Sequence, residues 1–372
     1  MKKILLLFIL WFLLLNTLNI LSSHLITDYT SYELPKNITI SPRHIFVPWL
    51  NFDGRNYLEI ASQGYVHKYR VDLRVFFPLY PLLIRILSFN FRFYPVLVGL
   101  IISLTSFIGC LFVFDRLLHD ENVSKKTRAK VFILLLLFPT SYYFLAFYTE
   151  SLFLLLTLLT FYYLNKKNFL LASIFTAFAT ATRIIGLALI PAILFEAYHS
   201  YKRNKKIPFL IIITPLGYFI YSAYLQMISG NAFSVILKQK DWNRQISIFS
   251  PWTALKEGFV KIVYGSALSR SNTIIHFIEQ LEFFMAILIL IFLIISINKI
   301  KFSYWLYVFF SLVPIFFSGM LSSIPRYIIV MFPIYIFLAR KIPEKYFYFI
   351  CTVFFILLII LTSLFLRGYW VA

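Results

Sequence analysis

The 372-residue chain is 60% hydrophobic and only 13% charged, with a mean hydropathy of +0.82. No soluble core buries that share of apolar side chains, so the composition excludes an ordinary water-soluble domain and predicts a multi-pass membrane protein. Lys and Arg number 35 against 15 Asp and Glu, which gives a net charge of +20. Because the basic residues are scattered in loops between apolar runs, the predicted partner is membrane lipid rather than nucleic acid.

An apolar run follows Lys2-Lys3 and extends to about residue 21. Its length, and the lack of an Ala-x-Ala cleavage site after it, favour a retained first span over a cleaved signal peptide, and both place the next loop outside. The pattern of the whole chain predicts an all-α polytopic membrane protein of about eleven spans, forming one domain over residues 1–372. The further apolar runs lie at about 94–114, 131–148, 151–164, 169–182, 184–198, 208–228, 274–297, 303–320, 327–339 and 346–366.

Short loops between the apolar runs carry clusters of Lys and Arg on alternate connections, and the positive-inside rule makes these loops cytoplasmic. Two longer loops, at about 23–93 and 229–273, then face outward. Within the first of them, the stretch 76–85 is amphipathic and contains two prolines, which predicts a helix lying at the membrane interface. The basic clusters are Lys125-Lys126, Lys166-Lys167, Lys202-Arg203, Lys299 with Lys301, and Arg340-Lys341.

The unusual polar residues of this chain gather near the ends of apolar runs on the predicted outer side. A charge at the bilayer centre costs about 2.5–3.5 kcal/mol on insertion scales, and a charge near a span end costs less while staying close to lipid headgroups. Any chemistry is therefore expected at the outer face. The candidate residues are Asp53, Arg55, Asp72, Tyr80, Tyr148, Glu150, Arg183, Trp242, Arg244, Arg326 and Tyr327.

Several of these residues also have a purely structural interpretation. Asp53 fits a solvated turn, and Glu150 fits a helix start, where exposed N–H groups favour a carboxylate. Arg183 and Arg326 fit side chains that extend to lipid headgroups without a specific ligand. The six His residues show no metal-ligand spacing and the two Cys residues lie in apolar runs, so His and Cys indicate no metal site. Binding of a divalent metal ion by paired carboxylates stays an alternative.

The sequence contains no Gly-rich phosphate loop, no dinucleotide fingerprint and no Gly-x-Ser-x-Gly elbow. An enzyme at the outer face has no access to cytoplasmic nucleotide sugars, so a sugar donor carried on a membrane lipid phosphate fits better. Such a donor requires a general base for the acceptor hydroxyl and cations for the departing phosphate. Asp53 together with Arg183, Arg244 and Arg326 supplies these groups.

Several blocks of the sequence, in their order along the chain, resemble the PIG-V-like mannosyltransferases, the family of the second mannosyltransferase of GPI-anchor assembly and its prokaryotic relatives. Together the blocks extend over roughly residues 44–340, and their joint order is more specific than any single block. The blocks are Phe52-Asp53-Gly54 followed by Phe76-Phe77-Pro78-Leu79-Tyr80-Pro81, Phe138-Pro139-Thr140 leading to Tyr148-Thr149-Glu150-Ser151, Thr182-Arg183 with Gly186, Trp242-Asn243-Arg244, and Pro325-Arg326-Tyr327.

The resemblance implies a GT-C architecture with a long first outer loop. It also implies inverting transfer of a sugar, usually mannose, from a polyprenyl-phosphate donor to a lipid-linked glycan, glycolipid or protein acceptor. The catalytic base of that class falls on Asp53. Arg183 and Arg326, with Arg244 as a weaker candidate, are expected to bind the donor phosphate.

The remaining candidates are expected to bind the substrates, with Glu150 and Asp72 orienting sugar hydroxyls or holding an arginine. They are Arg55, Asp72, Tyr80, Tyr148, Glu150, Trp242 and Tyr327. No cofactor is expected, because the lipid-phosphate sugar is a donor substrate. The predicted location is the cytoplasmic membrane of a prokaryote, or the endoplasmic reticulum membrane in a eukaryote, with the active site on the extracytoplasmic side.

Two other functions are alternatives. A transporter or flippase for lipid-linked glycans predicts ionisable groups near the middle of the spans, and the middles of these apolar runs contain almost none. A glycan polymerase or ligase shares the fold class and the lipid donor but transfers whole glycan chains, and the sequence does not separate it from a single-sugar transferase.

Overall fold

The computed structural model describes residues 2–29, 45–65, 72–205, 208–242, 244, 246–265 and 272–371. Within these ranges all regular secondary structure is helical and no strand occurs, which confirms the predicted all-α class. The α-helices of the described residues are α1 (Lys2–Leu25), α2 (Asp53–Gln63), α3 (Leu79–Leu87), α4 (Pro95–Asp120), α5 (Lys125–Leu137), α6 (Glu150–Asn165), α7 (Phe169–Thr180), α8 (Leu189–Asn204), α9 (Leu216–Ser229), α10 (Ser234–Leu237), α11 (Ser250–Tyr264), α12 (Thr273–Ser296), α13 (Phe302–Phe316), α14 (Ile324–Ile328), α15 (Pro333–Lys341) and α16 (Glu344–Leu366).

Six helical segments of the described chain are long and apolar enough to cross a membrane. This finding supports the predicted multi-pass membrane character, whereas the number of about eleven spans stays a prediction. Helices α6, α7 and α13 are also apolar but shorter. The structure confirms a helix, α3, in the amphipathic stretch of the first long loop. The six segments are Lys2–Leu25, Pro95–Asp120, Ile184–Arg203, Phe209–Ser229, Thr273–Ser296 and Glu344–Leu366.

Side-chain caps fix the starts of several helices. The side-chain oxygens of Ser124, Asn168 and Asn272 accept backbone N–H groups in the first turns of α5, α7 and α12, at 3.2, 3.1 and 3.0 Å. Such a cap satisfies an N–H group that has no partner within the helix, and it is worth about 1 kcal/mol. Pro95 opens α4, where its fixed φ suits the first turn and its missing N–H has no cost.

The predicted apolar run at about 131–148 is not one helix. Helix α5 ends at Leu137, and Phe138 adopts an extended conformation with ψ 135° before Pro139. A residue that precedes proline is disfavoured in the helical region, so the break is encoded locally. A short 3-10 helix, Ser141–Phe144, follows the break and leads to α6.

The contacts of the chain divide it into two compact units. The first unit comprises Met1–Gly64, Tyr80–Leu155 and Ile334–Val371. The second unit comprises Tyr65–Leu79 and Leu156–Pro333. Each unit therefore gathers segments that are distant in sequence.

In the first unit, α1 packs against α5 and α16. The indole N–H of Trp11 donates to the hydroxyl of Ser141 at 3.0 Å, so the polar atom of this buried ring has a partner. The rings of Phe107 and Phe144 stack with their centroids 4.4 Å apart. These contacts bind the broken stretch after α5 to the neighbouring helices.

In the second unit, α13 packs against α8 and the short 3-10 helix Ile184–Ala188. The rings of Phe161 and Phe332 meet with centroids 5.2 Å apart. Helix α9 lies so close to α7 that a Cβ atom on Gly217 would overlap the backbone of Ala177. Glycine is therefore required at this position by the close approach of the two helices.

We expect the substitution Gly217→Ala to destabilise the second unit, because the added methyl group meets backbone atoms that cannot move aside. Overpacking of this kind costs about 1–3 kcal/mol. The measurement is the thermal midpoint of the detergent-solubilised protein, followed by size-exclusion chromatography. Phe219→Leu on the exposed side of the same helix is the control and is expected to leave the midpoint unchanged. An unchanged midpoint for Gly217→Ala would contradict the close packing of α9 on α7.

Candidate functional site

The predicted site residues divide between the two units. The first unit contains Asp53, Arg55, Tyr80, Tyr148 and Glu150. The second unit contains Asp72, Arg183, Trp242, Arg244, Arg326 and Tyr327. Asn243, which belongs to one of the sequence blocks, lies outside the described residues.

Asp53 is held at the end of a tight turn in the first unit. The side-chain amide of Asn51 donates to the carbonyl of Phe365 at 2.8 Å. Phe52 follows with φ 58°, a positive value that is uncommon for a bulky residue, and its ring packs on Trp370 with centroids 4.8 Å apart. The side chains of Asn51 and Phe52 thus both fix the turn, and α2 begins at Asp53 directly after it.

Tyr148 completes this turn. Its hydroxyl donates to the carbonyl of Asn51 at 2.7 Å and accepts the backbone N–H of Asp53 at 3.2 Å. One phenol therefore satisfies two backbone groups on either side of Phe52. The sequence predicted Tyr148 as a substrate contact, and the structure gives its hydroxyl a role in holding Asp53.

The carboxylate of Asp53 lies in the first turn of α2, where the helix dipole stabilises a negative charge. The residue is half-buried, and Arg55 is half-buried on the same helix. Gly54 lets this helix approach its neighbour closely, because a Cβ atom there would lie 3.2 Å from the carbonyl oxygen of Phe147. Asp53 is thus a partly accessible acidic group on a rigid element.

Glu150 and Tyr80 are both buried in the first unit. Glu150 is the first residue of α6, so its carboxylate takes the position that the helix-start interpretation predicted. The hydroxyl of Tyr80 donates to the carbonyl of Gly99 at 2.9 Å and lies 3.0 Å from the hydroxyl of Ser103. Burial raises the pKa of Tyr80, which keeps it a neutral phenol within the core.

In the second unit, the end of α7 positions Arg183. The hydroxyl of Thr182 donates back to the carbonyl of Phe178 at 2.8 Å, and the N–H of Gly186 donates to the carbonyl of Arg183 at 2.9 Å. A Cβ atom on Gly186 would overlap the backbone of Ala179, so glycine allows this turn to fold onto the helix. Arg183 is buried, with 8% of its surface exposed.

The segment that carries Trp242 and Arg244 is bound to the loop that contains Asp72. The indole N–H of Trp242 donates to the carbonyl of Asp72 at 3.0 Å, and its ring meets that of Phe76 edge-on at 5.4 Å. Arg244 donates from its side chain to the amide oxygen of Gln239 at 3.3 Å. Trp242 is therefore an anchor for the Arg244 segment.

Asp72 forms ion pairs with cations of its own neighbourhood. Its carboxylate accepts the Nε–H of Arg74 at 2.7 Å, and the ammonium of Lys238 lies 3.6 Å away. Burial alone would raise the pKa of Asp72, but the hydrogen bonds and charge of Arg74 and the charge of Lys238 lower it below its ordinary value. Asp72 therefore forms ion pairs with Arg74 and Lys238, and its role at a substrate stays a prediction.

Tyr327 lies among the three arginines that the sequence singled out. The guanidinium carbon of Arg183 lies 5.2 Å from the centre of the Tyr327 ring. Burial opposes ionisation of the phenol, yet the charges of Arg244, Arg183 and Arg326, with a hydrogen bond from Arg244, lower the pKa of Tyr327 below its ordinary value. The phenol of Tyr327 thus lies among positively charged side chains.

Arg244 and Tyr327 line a cavity of about 80 Å³. Among the described residues that line it, none carries a carboxylate, and most are apolar. The cavity thus combines a positive potential with an apolar wall, which suits an anion attached to a hydrocarbon group. Its other lining residues are Ile184, Ile185, Ile236, Gln239, Ile246, Pro314, Ile315, Phe317, Ser318 and Ser322.

Within the described part of the chain, no three His, Cys, Asp or Glu side chains come together in a way that could hold a metal ion. Comparison of the chain with models of known protein families, with curated proteins and with solved structures gives no match. The likeness to the PIG-V-like mannosyltransferases therefore rests on the sequence blocks and stays a prediction.

Two contributors to these sites were not predicted. Gln239 accepts a hydrogen bond from Arg244, and the short helix Lys238–Trp242 brings these two residues together. Glu282 is the second, and it lies inside the apolar run of α12. Its position could have singled it out, because a carboxylate within a span is costly unless it has a partner.

We expect Tyr148→Phe to destabilise the first unit by about 1–3 kcal/mol, because a buried carbonyl and an N–H group lose the hydroxyl that joins them. The thermal midpoint of the purified protein measures this loss. Tyr198→Phe, which removes an exposed hydroxyl, is the matched control. Equal midpoints for Tyr148→Phe and the wild type would show that the hydroxyl does not hold the Asp53 turn.

We expect Tyr327 to ionise below the ordinary tyrosine pKa of about 10, since three arginines stabilise its phenolate. The ultraviolet titration of wild type minus that of Tyr327→Phe isolates this phenol. As the pH rises through the lowered pKa, the phenolate forms and cancels part of the positive charge, so anion binding should weaken. A midpoint at or above the ordinary value would contradict the arginine cluster.

Proposed function

We propose that the protein is an integral membrane glycosyltransferase of the GT-C type, with about eleven spans and a long first extracytoplasmic loop. It transfers a mannose or a related hexose from a polyprenyl-phosphate donor to a lipid-linked glycan, a glycolipid or a protein. The reaction takes place at the outer membrane face and inverts the configuration at the anomeric carbon. The ordered sequence blocks described above support this assignment.

The observation that carries the proposal is the cluster of Arg183, Arg244 and Arg326 around Tyr327. Arginine presents several N–H donors in a planar array that matches the oxygens of a phosphate. The cavity that Arg244 and Tyr327 line has a largely apolar wall. A lipid monophosphate has these two properties together, an anionic headgroup and a hydrocarbon chain joined to it.

Asp53 is the proposed general base. Its carboxylate removes the proton of the acceptor hydroxyl while that oxygen forms a bond to the anomeric carbon of the donor sugar. The bond between that carbon and the phosphate oxygen breaks in the same displacement, and the phosphate leaves with the electron pair. Attack opposite to the leaving group accounts for inversion.

The leaving phosphate requires charge stabilisation more than a proton, and the arginines supply it. Arg183 and Arg326 are both buried, so little water screens their charges. Arg244 is half-buried and reaches the phenol of Tyr327, whose hydroxyl is a further hydrogen-bonding group for a phosphate oxygen. Asp72 and Trp242 contribute by holding the segment that carries Arg244.

A glycan polymerase or ligase is the second candidate, because it requires the same base and the same cations. The two functions differ in the size of the group that leaves the lipid phosphate. Donors that carry one sugar and donors that carry a preassembled glycan therefore separate them in a transfer assay.

We expect Asp53→Asn to abolish sugar transfer while leaving the protein folded, because an amide cannot accept the proton of the acceptor hydroxyl. The measurement is incorporation of label from radiolabelled polyprenyl-phosphate-mannose by membrane vesicles with equal amounts of each variant. Loss of a general base alone lowers the rate by about 10²–10⁴-fold.

Glu59→Gln is the matched control, since it removes a half-buried carboxylate from the same helix and is expected to retain transfer. Equal incorporation by wild type and Asp53→Asn would remove Asp53 from the chemistry. No incorporation by the wild type would count against mannose as the sugar or against a transferase.

A further inference from the structure

Glu282 is a buried carboxylate within α12, one of the candidate spans. Only 9% of its surface is exposed. An ionisable group in this position is costly, so it is retained only where it forms a specific interaction. The partner of Glu282 therefore indicates what the residue is for.

That partner is the backbone of the turn before α14. One carboxylate oxygen of Glu282 accepts the N–H of Ser323 at 2.6 Å. Ser323 has φ 69° and ψ 15°, a left-handed conformation that residues other than glycine adopt infrequently. The hydrogen bond that the carboxylate accepts thus stabilises a turn that the sequence itself does not favour.

The same turn leads directly to the arginine cluster. The carbonyl of Ser323 accepts the N–H of Tyr327 at 3.1 Å, so the next turn of the chain is built on Ser323. Helix α14 has only five residues, and they include Arg326 and Tyr327. Because successive residues rotate by a fixed angle around a helix, the direction of these two side chains depends on how the helix starts.

The turn also lines two cavities of the second unit. Ser322 lines the cavity beside Tyr327, and it also lines a smaller cavity of about 20 Å³ in whose wall Glu282 lies. Lys261 lies in the wall of the smaller cavity. On this side, a Cβ atom on Gly258 would lie 2.6 Å from Leu321, so α11 packs tightly against the turn.

We propose that Glu282 is a positioning residue for the lipid-phosphate site, acting through the Ser323 turn to direct Arg326 and Tyr327 at the donor phosphate. This inference rests on the proposed function, which supplies the phosphate ligand. The hydrogen-bond acceptor, rather than the negative charge, is the property of Glu282 that the turn uses.

Two conservative variants separate these properties. Glu282→Gln keeps a side-chain oxygen at the same distance along the chain and loses the charge. Glu282→Asp keeps the charge, but its shorter side chain does not reach the N–H of Ser323. Glu282→Met removes both, and Glu279→Gln, on the same helix and in the wall of the same small cavity, is the control.

The first readout is the affinity of purified protein in phosphatidylcholine nanodiscs for a fluorescent polyprenyl monophosphate. We expect Glu282→Gln and Glu279→Gln to bind within about twofold of wild type. We expect Glu282→Asp and Glu282→Met to bind about tenfold more weakly, as follows from the loss of one strong buried hydrogen bond. The proposal would be overturned if Glu282→Asp bound with wild-type affinity, or if Glu282→Gln and Glu282→Asp lost affinity equally.

The second readout needs no ligand. In Glu282→Asp, the titration midpoint of Tyr327 is expected to rise toward the ordinary tyrosine range, because the phenol moves away from the arginines of the other elements. In Glu282→Gln, the midpoint is expected to equal that of the wild type. An unchanged titration in Glu282→Asp would overturn the proposal even if binding fell.

Arg326→Gln distinguishes the failure of this inference from that of the proposed function. Weaker lipid-phosphate binding by Arg326→Gln with wild-type binding by Glu282→Asp would refute the role of Glu282 alone. Unchanged binding by Arg326→Gln would refute the phosphate site, and the titration of Tyr327 would then decide by itself whether Glu282 positions the turn.

Discussion

Every backbone polar group in an apolar protein needs a partner, and this constraint governs the candidate site residues. They lie in turns between helices or in short or newly started helices, where many backbone groups have no partner within a helix. Two of these turns are closed by a side chain from elsewhere in the same unit: Tyr148 bridges the turn before Asp53, and Glu282 accepts the N–H of Ser323 before Arg326. The candidate catalytic and phosphate-binding residues are thus held in place by side chains that form hydrogen bonds with the backbone beside them.

Carboxylates in the second unit show why position matters more than residue type. Asp72 lies against Arg74 and Lys238 and is fully engaged as an ion pair. Glu282 instead meets a backbone N–H group and shapes a turn. The arginines around Tyr327 differ from both, because their combined charge lowers the pKa of a buried phenol. A group of arginines around one phenol suits the binding of an anion.

The all-α class and the membrane character could be predicted because hydropathy and the spacing of basic loops report directly on lipid exposure. The break at Pro139 was also encoded locally, since proline restricts the residue before it. The contacts of Tyr80 and Tyr148 could not be predicted, because their partners lie 19 and 97 residues away along the chain. The sequence named residues near the candidate sites but did not separate those that hold a turn from those that face a ligand.

This separation assigns different consequences to residues that look alike in the sequence. Tyr148 ends one predicted apolar run and Tyr327 begins another, yet the hydroxyl of the first bonds to two backbone groups, whereas the ring of the second lies under a guanidinium. Loss of the first hydroxyl therefore acts on stability, whereas loss of the second acts on the electrostatics of a cavity. In a membrane protein, a carboxylate and a set of arginines become candidates for catalysis only after the side chains that only form hydrogen bonds with the backbone have been set aside.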